Sequence, residues 1–109
     1  MNGIEAFETL DLRVGRIIKA QRNPKARKPS FQLWIDFGPM GTKQSSAQLV
    51  DLYTAQELEG RLVIAAVNLG TRNIAGFVSE VLTLGLPDEE GRVVLFSPDR
   101  EVPLGGRVF

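Results

Sequence analysis

A large apolar residue at every second position between 31 and 37 is the feature that most limits how this chain can fold. The apolar members are Phe31, Leu33, Ile35 and Phe37, and the residues between them are Gln32, Trp34 and Asp36. A period of two is that of a β-strand with one face turned toward a core. The pattern therefore predicts a half-buried strand, with Trp34 on the face opposite the core.

Several further segments have the composition of short strands separated by turns. Strands are expected at 11–22, 42–49, 61–68, 80–86 and 92–96, short helices at 3–9 and 50–58, and a turn at 87–92. Gly15 lies inside the first strand, where an isolated glycine indicates a bulge or a sharp bend. Many short strands, with a helix between the third and fourth, predict an all-β Greek-key barrel of the OB-fold type. A β-sandwich is the alternative architecture.

Histidine and cysteine are both absent from the 109 residues, which narrows the chemistry that the chain can perform. No disulfide, Cys/His metal site, or Ser–His or Cys–His nucleophilic pair can form, so we expect no catalysis and no cofactor. A Mg²⁺ site built from carboxylates alone stays open in principle. The length corresponds to a single domain over residues 1–109. The 13 basic residues balance the 13 acidic ones, so the net charge by itself indicates no partner.

The N-terminal stretch MNGIEAFETLD is acidic and lacks the basic start and apolar run of a signal peptide. No apolar run in the chain approaches the roughly 20 residues that a membrane-spanning helix requires. We therefore expect a cytoplasmic protein without membrane insertion.

The basic residues are unevenly distributed along the chain. Seven of them lie between positions 13 and 28 with no acidic residue among them: Arg13, Arg16, Lys19, Arg22, Lys25, Arg27 and Lys28. Such a segment creates a local positive field, which favours an anionic partner, and Arg13 and Arg16 are expected among the contacts to RNA phosphates. The alternative is a solvated strand edge whose charges prevent aggregation.

Two segments carry candidate ligand-binding residues. The polar strand at 42–49 contains Lys43 and presents Gln44, Ser46 and Gln48 on one face, where they can hydrogen-bond to peptide amides or to base edges. The connection over residues 68–81 is predicted to be a long loop that carries Asn68, Arg72, Asn73, Phe77 and Ser79, and Glu80 lies near the start of the strand that follows. Arg72 offers a planar set of donors, and Phe77 offers an apolar face to a ligand unless it folds back onto the core. Glu80 is expected either to pair with Arg72 or to accept hydrogen bonds from a ligand.

A resemblance to a known family rests on five motifs in a fixed order. They are FETLDLRVGRI, PKARKPSFQLWIDFG, KQSSAQL, YTAQELEGRLVIAAVNL and RNIAGFVSEVLTLG. In this order they resemble the tRNA-binding-domain superfamily, which includes the appended domain of methionyl-tRNA synthetases. Within it the chain resembles the stand-alone bacterial branch of CsaA-type secretion chaperones, over essentially its whole length.

The resemblance implies an OB-fold homodimer that holds unfolded export precursors and has affinity for tRNA. Two departures from the tRNA-binding members favour the chaperone branch. Ala47, Gln48 and Leu49 replace a Ser-Gly-Leu or Ser-Gly-Ile turn, and Ser79-Glu80-Val81-Leu82 replaces a Ser-x-Gly-Met sequence. An added acid at Glu80 is expected to repel phosphate. Two functions are therefore carried forward, a peptide-binding export chaperone and a tRNA-binding module that recognises shape.

A surplus of apolar residues for so small a barrel also predicts a symmetric dimer. Ile4 and Phe7 are expected to face outward on the first helix, Trp34 lies on the face opposite the core, and the C-terminal segment ends in Val108-Phe109. A contiguous apolar patch of this kind usually marks an interface between subunits.

Overall fold

The computed structural model describes residues 1–109 and consists of short strands with three short helices. The helices are α1 (Gly3–Thr9), a 3₁₀ turn (Gly38–Met40) and α2 (Ala55–Leu58). The strands are β1 (Leu12–Arg22), β2 (Phe31–Asp36), β3 (Thr42–Ala47), β4 (Leu62–Ala66), β5 (Arg72–Ile74), β6 (Phe77–Ser79), β7 (Leu82–Thr83), β8 (Gly85–Pro87) and β9 (Val93–Leu95). None of the helices has the length and apolar character needed to cross a membrane.

Five strands form an antiparallel sheet in the order β3–β2–β1–β4–β7. β4 returns beside β1 rather than beside its predecessor β3, which is a Greek-key connection. The sheet curls until its first and last strands meet, where the Ser45 and Thr83 hydroxyl oxygens lie 2.8 Å apart. The nearly closed barrel confirms the OB-type prediction, and the β-sandwich alternative is wrong.

The core lies inside the barrel and follows the alternation in the sequence. Phe31, Leu33, Ile35 and Phe37 are each at most 2% exposed, and all five residues of β4 are buried. Leu58 of α2 is fully buried in the same cluster. Thr54 and Glu57 cap α2 by bonding each other's backbone N–H groups, which fixes where this short helix begins.

β1 has an irregular register, but not at the predicted position. Its pairing with β2 shifts between Ile17 and Lys19, which leaves Ile18 as the bulged residue and exposes its side chain. Gly15 pairs regularly with Val63. The reason for a glycine there is close packing, because a Cβ would lie 2.5 Å from the Cγ2 atom of Ile35. The prediction of a bulge at Gly15 is therefore wrong by three positions.

The C-terminal segment pairs with the edge of β1 that β2 leaves free. The backbone N–H of Val14 donates to the Gly106 carbonyl at 3.0 Å, and the Gly105 N–H donates to the Val14 carbonyl at 2.8 Å. Beneath it, Val14, Leu62 and Ile64 form a second small core. The first half of β1 is therefore paired on both edges, with β4 on one and with the chain end on the other.

Three segments differ from the sequence-based expectation. The connection at 68–81 is not a loop but contains a hairpin of β5 and β6, hereafter the β5–β6 hairpin. Its two-residue turn is Ala75-Gly76, with φ values of 50° and 87°, the positive pair of a tight hairpin turn. The strand at 80–86 is divided between β7 and β8, and the helix at 50–58 is reduced to α2. Ala-Gly is a weak turn signal compared with Asn-Gly, which is why sequence inspection missed the hairpin.

Candidate functional site

One large groove lies on the side of the barrel, with a volume of about 1130 Å³. One wall is the loop that joins β1 to β2, and the floor is the end of β3 with the residues that follow it. The other wall is the β5–β6 hairpin together with β7. These segments are far apart in sequence, and the barrel brings them together at one rim.

All the charges that line the groove are positive. Four of its 20 lining residues are Lys25, Arg27, Lys28 and Arg72, and none is Asp or Glu. Arg72 is exposed and forms no ion pair. Cations collected in a concave surface reinforce one another's potential, because low-dielectric walls focus the field. The groove therefore attracts anionic groups.

The rest of the lining is apolar or neutral and contains no aromatic ring. Nine lining residues are hydrophobic, and two of them, Leu69 and Leu82, have half of their surface exposed. The neutral polar side chains include Ser46, Gln48 and Asn73. Ser30 is only 3% exposed, yet its hydroxyl has no hydrogen-bond partner within the protein. A lining of this kind offers apolar contact and hydrogen bonds but no ring on which a base can stack.

The structure divides the seven basic residues into three sets with different contacts. Arg13 donates to Asp11 at 2.7 Å and to the Gly105 carbonyl at 3.0 Å, and Arg16 binds Glu101 and the Gly60 carbonyl. These two arginines therefore bind internal acceptors away from the groove.

The aromatic rings near β1 hold the next two cations. The Nζ atom of Lys19 lies 4.8 Å from the centre of the Trp34 ring, and the guanidinium of Arg22 lies 5.6 Å from that of Phe31. Cations at this distance are attracted by the negative face of the ring. Only Lys25, Arg27 and Lys28 of the seven line the groove beside Arg72.

Three of the predicted ligand-binding side chains, those of Gln44, Ser79 and Glu80, form hydrogen bonds within the protein that help to close the barrel. The side chain of Gln44 donates to the Val78 carbonyl at 2.9 Å, while its backbone N–H donates to Glu80 Oε1 at 2.9 Å. Ser79 accepts from the Ser46 N–H at 2.9 Å. These bonds fasten the β5–β6 hairpin to the open side of β3.

Glu80 differs from its expected role in two respects. It forms no ion pair with Arg72, and it does not line the groove. The carboxylate of Glu80 instead accepts the Gln44 N–H, and the repulsion of phosphate expected from this acid stays a prediction.

Asn68 and Phe77 are also held by internal contacts. Asn68 accepts from the Asp11 N–H at 2.9 Å and donates to the Thr9 carbonyl at 2.8 Å, so that it joins the end of α1 to the end of β4. Phe77 is 8% exposed and packs edge-on against Trp34, with ring centres 5.4 Å apart. Phe77 is therefore a packing residue, which is the alternative that the sequence left open for it. Neither of the two side chains lines the groove, and neither does Lys43.

Asn23 has a structural role that sequence inspection did not identify. It is buried, its amide donates to the Ile74 carbonyl at 3.2 Å, and its side-chain oxygen accepts from the Lys25 N–H at 3.0 Å. It therefore ties the two walls of the groove together. The Asn-Pro sequence signals a turn, but the hydrogen-bond partner of Asn23 lies 51 residues away and leaves no local pattern.

Nowhere in the chain do three or more Asp or Glu side chains gather in a group able to hold a metal ion.

Comparison with solved structures shows whole-chain similarity to two chaperones. A chaperone CsaA from Bacillus anthracis is 43% identical, with a TM-score of 0.90 and coverage of 100% of this chain and 99% of that one. A CsaA chaperone protein from Picrophilus torridus is 39% identical, with a TM-score of 0.91 and complete coverage of both chains.

Similarity to longer proteins is confined to part of their length. The methionine–tRNA ligase of Archaeoglobus fulgidus is 37% identical over 105 residues, which are 96% of this chain but 16% of that protein. The chain thus spans about one sixth of the length of the curated relatives that it matches. The sequence pattern of the family described as "Putative tRNA binding domain" matches residues 12–107. With this match over nearly its whole length, the chain belongs to the tRNA-binding domain family.

Proposed function

We propose that this protein is a non-catalytic, export-related chaperone that binds unfolded segments of precursor proteins in the groove. The observation that carries the proposal is the lining, which combines apolar side chains and neutral hydrogen-bonding groups with cations and has no acid and no aromatic ring. Whole-chain similarity to two proteins described as CsaA chaperones supports it. We further propose that the protein acts in the cytoplasm and that residues 1–109 form one binding domain.

The groove suits an extended polypeptide because it offers both kinds of contact that an unfolded chain needs. Leu69 and Leu82 are half-exposed apolar side chains, and burial of one apolar side chain of a precursor against them is worth roughly 1.5–3 kcal/mol. Ser46, Gln48 and Asn73 can bond peptide amides without selecting a sequence. Ordering of the precursor segment consumes much of this gain, so binding is expected to be broad and modest in affinity.

The charge of the groove adds a preference among precursor segments. Lys25, Arg27, Lys28 and Arg72 meet no internal acid in the lining, so acidic side chains of a ligand gain attraction and basic ones are repelled. We therefore expect apolar segments that contain Asp or Glu to bind better than matched segments that contain Lys.

Fluorescence anisotropy with a labelled, unfolded peptide of alternating leucine and aspartate tests the proposal. A peptide in which lysine replaces every aspartate is expected to bind more weakly at low salt. Leu69→Ser removes an apolar side chain from the groove, whereas Leu86→Ser removes one of equal exposure, 55%, from outside the groove. We expect only Leu69→Ser to weaken binding of the aspartate peptide. Equal loss in both variants, or no binding of either peptide, would contradict the proposal.

Binding of tRNA is the second candidate, and it is favoured by the family match and by the same four cations. Because no aromatic ring lines the groove, RNA would be held through its phosphates and its shape rather than by stacked bases. Competition at physiological salt separates the two functions. Displacement of the aspartate peptide by tRNA places both ligands in the groove, and simultaneous binding places tRNA elsewhere.

A homodimer is also part of the proposal. Ile4 of α1 is 73% exposed, Phe7 is 45% exposed, and the terminal Phe109 is fully exposed, so both chain ends carry uncovered apolar surface. Light scattering at micromolar concentration is expected to give about twice the 12.0 kDa mass of one chain. A mass of one chain would contradict the dimer.

A further inference from the structure

We propose that the free end of β3 is a pairing edge, to which an unfolded segment in the groove adds as one more strand through the Ser46 carbonyl and the Gln48 N–H. The inference rests on the proposed peptide-binding function and names how the groove holds a peptide backbone. Addition of a strand to an exposed sheet edge gives affinity through main-chain hydrogen bonds, so it does not depend on the sequence of the added segment.

The register of the sheet shows which backbone groups of β3 point to its open side. Gln44 lies opposite Trp34, and its N–H and carbonyl bond away from β2, to the side chain and the N–H of Glu80. In an antiparallel pair every second residue points its backbone groups in the same direction. Ser46 and Gln48 are two and four residues further along, so their backbone groups face the same open side.

The protein covers this edge only in part. Glu80 and Ser79 bond Gln44 and the Ser46 N–H, in the manner of an adjacent strand. Beyond them, the Ser46 carbonyl and the Gln48 N–H have no hydrogen-bond partner within the protein. The uncovered part of β3 begins where the groove begins, because Ser46, Ala47 and Gln48 all belong to the groove lining.

The two free groups have the spacing that an added strand requires. A carbonyl on one residue and an N–H two residues later flank a single position, Ala47, on the same side of the strand. In a parallel peptide, one residue can both donate its N–H to the Ser46 carbonyl and accept from the Gln48 N–H. In an antiparallel peptide, two residues share these bonds, and they are the neighbours of the peptide residue that lies opposite Ala47. Each direction gives two hydrogen bonds and places the peptide along the groove.

The occupant is an extended polypeptide segment that carries carboxylates. Lys28 and Arg72, on opposite walls of the groove, offer charges that complement acidic side chains, and Leu82 offers apolar contact between them. An RNA strand has no alternating N–H and carbonyl groups at the spacing of a β-strand, so it would leave the β3 edge unused. The pairing edge therefore distinguishes a peptide from RNA in the same groove.

Gln48→Pro removes the pairing N–H, and Gln48→Ala is its matched control because it keeps the N–H and loses the same side-chain amide. Proline suits this position. The Leu49 N–H donates to the Ala47 carbonyl at 3.0 Å, which makes Gln48 the centre of a three-residue turn. Ala75 is the only residue other than glycine with a positive φ, so the turn at Gln48 is the inverse type, whose φ of about −75° is close to that of proline. The preceding Ala47 is in a strand, the conformation favoured before proline.

The expected result is that Gln48→Pro binds the aspartate peptide about three- to tenfold more weakly than Gln48→Ala, the range that corresponds to loss of one hydrogen bond. Both variants are expected to bind tRNA equally. Equal peptide affinity in the two variants would overturn the inference. An equal loss of tRNA binding in Gln48→Pro would show that proline distorts the groove, and the N-methylated peptides described next then decide.

A second measurement uses the unchanged protein and decides the matter if Gln48→Pro does not fold. Single N-methylation along the peptide is expected to weaken binding at the residue that donates to Ser46, by a similar factor. Uniform tolerance of N-methylation would overturn the pairing edge while the peptide-binding function stands, provided that Leu69→Ser still weakens binding. Absence of peptide binding to the unchanged protein would overturn both proposals.

Discussion

The salt dependence of tRNA binding tests which of the basic residues meet phosphates. The sequence alone places Arg13 and Arg16 among them, but in the structure these arginines bind Asp11, Glu101 and backbone carbonyls. Lys25 and Lys28 line the groove and form no ion pair. We therefore compare the double variant Lys25→Ala/Lys28→Ala with the double variant Arg13→Ala/Arg16→Ala, which removes the same formal charge.

The four cations of the groove set the size of the effect. Each phosphate contact contributes about −0.9 to the slope of log affinity against log salt for duplex and about −0.7 for single strands. Four contacts predict a slope of roughly −2.8 to −3.6, so affinity should fall about 50- to 150-fold between about 50 and 200 mM salt. Loss of two contacts should flatten the slope by about 1.4 to 1.8 and reduce that fall to about 7- to 12-fold.

Fluorescence anisotropy of labelled tRNA across a salt titration measures both slopes. Lys25→Ala/Lys28→Ala is expected to flatten the slope, whereas Arg13→Ala/Arg16→Ala should keep it and lower the melting temperature instead. The melting temperature falls because the Gly105 and Gly60 carbonyls and Glu101 lose their arginine donors, while Asp11 keeps only its ion pair with Arg107. A flattened slope in the arginine variant together with an unchanged slope in the lysine variant would refute the reasoning, because it would show that RNA binds at Arg13 and Arg16 and not in the groove.

Three further predictions concern folding. Gly15→Ala should lower the free energy of unfolding by about 1–3 kcal/mol in urea, because its Cβ would overlap Ile35, whereas Gly3→Ala should cause no loss since nothing lies within 4 Å. Phe77→Ala should destabilise by about 3–5 kcal/mol and change the emission of Trp34, the only tryptophan, and an unchanged spectrum would contradict their contact. Burial raises the pKa of Asp88, but hydrogen bonds from Arg92 and the Glu90 N–H outweigh it and hold the pKa below its usual value. The stabilisation that ionised Asp88 gives the folded state is therefore complete at neutral pH and is lost as the pH falls through the lowered pKa. The amount by which Asp88→Asn lowers the melting temperature should accordingly shrink below about pH 4. A deficit that persists in acid would contradict this assignment.

The barrel could be predicted from the sequence because its signal is local. The alternation at 31–37 determines which face of β2 is buried, and the apolar run at 61–68 yields the fully buried β4. The turn formers at 87–92 give the connection between β8 and β9. Each of these patterns needs only the period of a strand or the backbone preference of a turn residue, and both are properties of neighbouring positions.

Details that depend on close packing were not visible in the sequence. Gly15 signals a bulge by its residue type, yet the shift occurs at Ile18, and the glycine instead makes room for Ile35 of the next strand. The β5–β6 hairpin was missed because its Ala-Gly turn is a weak local signal. Tertiary contacts with β3 and Trp34 hold it in place.

In the candidate site, the sequence shows which side chains are able to bind a ligand, and the structure shows which of them are free to do so. The sequence by itself determined that Arg16, Arg72, Gln44 and Glu80 could bind a ligand, because charge and hydrogen-bonding capacity belong to the side chain. Only the tertiary structure decided that the side chain of Arg16 is engaged by Glu101, 85 residues away, and that of Gln44 by the Val78 carbonyl, 34 residues away, while Arg72 stays free in the groove. The physical reason is that a polar group is available to a ligand only when no partner in the folded chain reaches it first, and such partners are brought near by the closure of the barrel rather than by the order of the sequence.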